Sequence, residues 1–150
     1  MLRFINFLTK NLSMIENRII DYFRDRNEVA AVYLFGSHAA GKERPGSDLD
    51  VAILFQTRDP DVMRNSIDAY LVDLSRLLKK DVHLVSLNSA GEMLLGQIFK
   101  KGKCVVINDR RQLAAFRVAA FAKIFDFSYY RDSMQSGLIK SVLQGRWFDG

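Results

Sequence analysis

Val29-Ala30-Ala31-Val32-Tyr33-Leu34-Phe35-Gly36-Ser37, followed ten residues later by Asp48-Leu49-Asp50-Val51-Ala52-Ile53-Leu54-Phe55, is the stretch that decides the fold and most of the chemistry. Both apolar runs read as buried strands. Side chains alternate along a strand, so Asp48 and Asp50 share one face at the entrance of the second. Two neighbouring carboxylates repel each other unless a cation lies between them, and magnesium is the natural candidate.

The turn between the strands supports the same chemistry. Gly36, directly after a strand, lets the backbone bend sharply and approach a ligand closely, and Ser37 adds a hydroxyl and an N–H, which together make a phosphate seat. The segment His38-Ala39-Ala40-Gly41-Lys42-Glu43-Arg44-Pro45-Gly46-Ser47 carries two glycines and a proline and is expected to return the chain without long secondary structure. Magnesium takes oxygen ligands at about 2.0 to 2.1 Å and usually binds through one or two carboxylates plus substrate phosphates. Asp48 and Asp50 meet that minimum.

Gly-Ser, a spacer of ten and Asp-x-Asp, framed by two apolar strands, resembles the signature of the nucleotidyltransferases of the DNA polymerase beta superfamily. The small size and the later segment Val82-His83-Leu84-Val85-Ser86-Leu87-Asn88 are most similar to minimal nucleotidyltransferases of the MntA type, antitoxins encoded beside HEPN-domain RNase toxins. The likeness covers roughly residues 14 to 127. It implies an Mg2+-dependent transfer of AMP from ATP to a tyrosine of the toxin, and a hetero-oligomer with that partner. Asp48 and Asp50 are then catalytic and metal-binding residues, with Asp81 the candidate for a third such carboxylate, and Gly36, Ser37 and Ser47 bind the nucleotide.

Two departures from the family pattern stand out. Ala39-Ala40-Gly41 replaces a common Ala-Arg-Gly, so one cationic phosphate contact is either missing or supplied by Lys42 or Arg44. The third carboxylate of the family aligns with His83, while Asp81 lies two residues earlier on the same face. Imidazole favours zinc or copper over magnesium, which makes His83 a poor direct replacement. The alternative is a non-catalytic antitoxin that neutralises its toxin by binding and keeps the fold as a scaffold. Transfer to a small-molecule antibiotic is disfavoured, because nothing beyond a minimal domain offers a drug pocket.

The rest of the chain frames this motif as a nucleotidyltransferase fold, an α/β (α+β) arrangement in which helices flank a small mixed sheet. Ser13-Met14-Ile15-Glu16 reads as a capping box for a helix to about Asn27. Asp59-Pro60 opens a second helix with Ile67, Leu71, Leu74 and Leu78 as its buried stripe. Asp81 to Leu87 is a third strand, and Ser89-Ala90-Gly91-Glu92 caps a helix to about Lys100. Lys103 to Ile107 is a fourth strand, and Arg110 to Phe125 a helix. The expected organisation is an N-terminal lead-in over 1–12, the nucleotidyltransferase domain over 13–127 and a helical tail over 128–150. In that tail Met134, Leu138, Val142, Leu143, Trp147 and Phe148 form a stripe suited to a partner groove.

An apolar fraction of 49% fits one globular core of 150 residues. The single cysteine, Cys104, excludes an internal disulfide and a zinc cluster and is expected as a buried hydrophobe. Phe4-Ile5-Asn6-Phe7-Leu8 is too short for an export segment, and no window reaches membrane-spanning length, so a cytoplasmic protein is expected. The net charge of +5 is concentrated at Lys79-Lys80, Lys100-Lys101-Lys103 and Arg110-Arg111. Such a field attracts a triphosphate or an RNA-bearing partner, while any one of these clusters also reads as ordinary solvated surface. No basic stripe is interleaved with aromatics, so sequence-specific nucleic-acid reading is not indicated.

Overall fold

A computed structural model describes residues 2–37 and 48–143. The chain runs α1 (Leu2–Phe23), β1 (Val29–Phe35), β2 (Leu49–Phe55), α2 (Pro60–Leu78), β3 (Val82–Ser86), a 3₁₀ turn (Leu87–Ser89), α3 (Glu92–Lys101), β4 (Lys103–Ile107) and α4 (Arg110–Leu143). The sheet has the order β3-β2-β1-β4. β1 pairs antiparallel with β2 and β4, and β2 pairs parallel with β3 through the α2 crossover. The expected mixed sheet with flanking helices is therefore present.

β1 and β2 are central strands covered on both faces, which is why they read as continuous apolar runs rather than alternating ones. On one face Val32, Leu34, Val51, Ile53 and Phe55 pack against Ile19 and Phe23 of α1 and Met63, Tyr70 and Leu74 of α2. On the other, Tyr33, Ala52 and Leu54 meet Leu95 and Ile98 of α3 and Leu113 and Ala120 of α4. Cys104 is half-buried on this second face rather than fully enclosed. Burial raises its thiol pKa above the ordinary value.

Polar side chains close the strand ends. Asn108 Nδ2 donates to the carbonyls of Phe23 at 2.8 Å, Arg26 at 3.2 Å and Val29 at 3.0 Å, tying the end of α1 to the start of β1. Asn88 acts as a strand substitute: its Oδ1 accepts from the Phe55 N–H at 2.8 Å and its Nδ2 donates to the Phe55 carbonyl at 3.1 Å. That pairing requires the 3₁₀ turn, so β3 stops at Ser86 and does not continue to Leu87.

Several boundaries differ from those read in the sequence. α1 begins at Leu2 rather than Ser13, because Leu8, Leu12, Ile15 and Ile19 continue one helical spacing through the supposed capping box. α2 is capped by Asp59 as expected, with Asp59 Oδ1 accepting from the Asp61 N–H at 3.0 Å. Its buried stripe is Met63, Tyr70, Leu74 and Leu78, while Leu71 faces outward and Ile67 is only partly buried. α3 starts from Gly91 without a side-chain cap, so Ser89 is not its N-cap. α4 runs unbroken past Phe125 and Ser128, and Phe125, Tyr129 and Met134 lie exposed on it. No described helix is long and apolar enough to cross a membrane.

Candidate active site

The antiparallel register places Phe35 opposite Asp50, so the turn that leaves β1 meets the strand that enters β2. Gly36 has φ +72°, in the left-handed region that favours glycine. A Cβ built on it would lie 2.2 Å from Asp50 Oδ2 and 3.2 Å from its Cγ. The glycine is thus required twice, for the turn and for the close approach of the carboxylate. Ser37 follows in the same turn, partly buried. The sequence-predicted Gly36, Ser37 and Asp50 are brought together at one end of the sheet.

Asp48, immediately before β2, is exposed, and alternation along the strand assigns it the face of Asp50. This is the α3 and α4 face, since Ala52 and Leu54 continue it. Beside β2, the parallel register sets Leu49 against Val82 and Asp50 against His83. Asp48-Leu49-Asp50 and Asp81-Val82-His83 therefore run step for step, with Asp81 flanking Asp48 and His83 flanking Asp50. His83 Nδ1 lies 3.3 Å from Asp50 Oδ1. The Asp81 carbonyl accepts from the Leu49 N–H at 2.9 Å, which locks the start of this pairing. Its exposed side chain borders a hollow with Ser75, Lys79 and Lys80.

Among the described residues no three His, Cys, Asp or Glu side chains converge as a ready-made metal cage. Asp50 contacts His83, not Asp81. The contact of His83 with Asp50 is the feature that sequence reasoning missed, because it is set by the register of β2 with β3. Ser47, Ala40, Lys42 and Arg44 lie outside the described residues, as do Trp147 and Phe148.

Two of the basic clusters sit at the same end. Lys79 closes α2 in a left-handed conformation and leads through Lys80 into Asp81. Lys100 and Lys101 end α3, and the following Gly102 lies against the Leu34 carbonyl near the Gly36 turn. Lys103 is tied to Glu16 at 2.9 Å. Arg110 and Arg111 stand at the opposite end, after Asp109, whose N–H reaches the Ala30 carbonyl. Lys79, Lys80, Lys100 and Lys101 thus stand at the end of the sheet where the glycine turn and the aspartates meet.

A strand, a glycine turn and an Asp-x-Asp strand entrance in this topology define a nucleotidyltransferase. The polymerase beta nucleotidyltransferase family matches residues 17–111, and the chain belongs to it. Its sequence is 35% identical over 89 residues to the protein adenylyltransferase MntA of Shewanella oneidensis, a match covering 59% of this chain and 62% of the relative. The chain thus aligns with less than two thirds of that relative's length. By structure it is similar to a toxin–antitoxin crystallised with AMP-PNP, with a TM-score of 0.66 and 27% identity over 83% of this chain and 98% of the other. It is also similar to a chain from a complex of the tri-AMPylated Shewanella oneidensis HEPN toxin with the MNT antitoxin, with a TM-score of 0.63 and 25% identity over 85% of this chain and 98% of the other.

Proposed function

We propose that this chain is an antitoxin that transfers AMP from ATP to a tyrosine of a HEPN-family RNase toxin and so neutralises it. The observation that carries this reading is the interlock of Gly36 with Asp50, which leaves room for a phosphate seat and a carboxylate in one place only while position 36 lacks a side chain. The adenylyltransferase relative and the complex with an AMPylated toxin supply the reaction class and the partner.

The two aspartates suit a divalent cation that takes hard oxygen donors. Asp48 and Asp50 present hard oxygen donors at adjacent same-face positions, and Asp50 is held from both sides, by the Gly36 turn and by His83. A divalent ion held by Asp48 and Asp50 would supply positive charge to offset that of the triphosphate and the departing pyrophosphate. Gly36 and Ser37 seat the β- and γ-phosphates through backbone N–H groups and the hydroxyl, and Ser47 is the further nucleotide-binding residue. Lys79, Lys80, Lys100 and Lys101 draw the nucleotide to this end of the sheet. The tyrosine oxygen forms a bond to the α-phosphorus while the bond to the bridging oxygen breaks, pyrophosphate leaves, and the hydroxyl proton passes to base or water. Asp81, beside Asp48 in register, assists the acceptor hydroxyl from the outer edge. The exposed apolar side chains of α4 dock the partner.

Incubating the purified toxin with this chain, ATP and magnesium, followed by intact-mass measurement, tests the reading. The expected result is addition of one or more adenylate units to a toxin tyrosine, lost in Asp48→Asn with Asp50→Asn. A second reading, neutralisation by binding alone, is favoured by His83 standing where the family carries a carboxylate. It is distinguished by the same experiment, as toxin RNase activity inhibited without a change in mass.

A further inference from the structure

His83 is the point at which this chain departs from an all-carboxylate donor set, and its placement gives it a different use. In an octahedral site with bonds of about 2.1 Å, adjacent donor atoms lie roughly 3 Å apart. The 3.3 Å between His83 Nδ1 and Asp50 Oδ1 is close to one such edge. The His83 side chain is 63% exposed and that of Asp50 26%, so the pair opens to solvent rather than into the core. The second oxygen of Asp50 faces the Gly36 turn.

We infer that His83 is a direct ligand, next to Asp50, of the divalent ion that accompanies the nucleotide, and that the site consequently favours Mn2+ over Mg2+. The inference rests on the nucleotidyltransferase reading above. Magnesium is a hard ion that takes oxygen donors and keeps its waters, whereas first-row transition ions accept imidazole nitrogen in the same octahedral geometry. Exchanging one carboxylate for an imidazole weakens the first more than the second. Among the described residues no three ligating side chains converge, so the phosphate oxygens of the nucleotide would supply the remaining donors. The ion and the nucleotide then bind together, each weakly without the other.

The full chain with Mn2+ and a non-hydrolysable ATP analogue, measured by pulsed EPR, provides the test. Unlabelled protein is expected to show a 14N coupling to the ion that becomes a 15N coupling when the protein alone is 15N-labelled. His83→Gln abolishes it, which separates His83 from the chain's other histidine, His38. In titrations, His83→Asp lowers the preference for Mn2+ over Mg2+ on the order of tenfold. Absence of any protein nitrogen coupling, while Mn2+ binding still depends on Asp48 and Asp50, overturns the inference and leaves the nucleotidyltransferase reading intact. Mn2+ binding indifferent to Asp48→Asn with Asp50→Asn overturns both.

Discussion

Gly36→Ala is expected to cost function more than stability. The backbone at Gly36 is left-handed, and an L-residue there costs about 1–2 kcal/mol. The new methyl also lands 2.2 Å from Asp50 Oδ2, 3.2 Å from Cγ and 3.4 Å from Cβ, so the whole carboxylate must rotate away. Asp50 is a half-buried side chain at a strand entrance, and its rotation leaves the buried core beneath untouched. Thermal or urea unfolding is therefore expected to register only about 1–2 kcal/mol of destabilisation. Function suffers more, because displacing a reacting group by about 1 Å costs on the order of a hundredfold. Nucleotide affinity in the presence of a divalent ion and the rate of AMP transfer are the quantities to measure. A folded Gly36→Ala protein that binds nucleotide and transfers AMP as the native chain does would refute the interlock.

Asn108→Ala removes the donor from three carbonyls at the junction of α1 and β1, and a loss of about 1–3 kcal/mol is expected by urea denaturation. The Tyr70 hydroxyl donates to Glu28 Oε1 at 2.6 Å and holds that carboxyl below its ordinary pKa. Its contribution is present above the unfolded-state value and is lost as pH falls through the folded one. Tyr70→Phe is thus expected to destabilise by roughly 1 kcal/mol at pH 7, discounted for the exposure of Glu28, and by progressively less on acidification. Equal penalties at neutral and acid pH would exclude that pairing. Phe125→Ser with Tyr129→Ser changes two exposed side chains of α4 and is expected to weaken toxin binding in calorimetry while leaving the melting temperature unchanged.

Legibility in the sequence followed the strength of local signals. β1, β2 and β4 could be read because their apolar runs end at glycine, aspartate or asparagine, and α2 because Asp59-Pro60 starts it unambiguously. The Ser-x-x-Glu pattern was a poorer guide. Ser13 lies inside α1 and Ser89 ends a 3₁₀ turn, since a capping box is only as informative as the break in periodicity before it. In α4, Asp126 and Ser128 suggest a helix end near Phe125, yet neither stops a helix without a glycine or proline beside it. Leu71 was misplaced because Tyr70 competes for the core side of α2, where its ring stacks on Phe55 at a centroid distance of 6.3 Å. Gly36 and the aspartates were legible because the turn and the strand entrance are both local. The contact of Asp50 with His83 was not, since it depends on the register of a parallel pair 33 residues apart.

A crystal structure of the chain with a divalent ion and a non-hydrolysable ATP analogue tests the central claim most directly. The expected result is a triphosphate resting on the backbone N–H groups of the Gly36–Ser37 turn, with one ion shared between its oxygens and the carboxylates of Asp48 and Asp50. A nucleotide bound elsewhere on the fold, or an ion that leaves both aspartates uncoordinated, would contradict it.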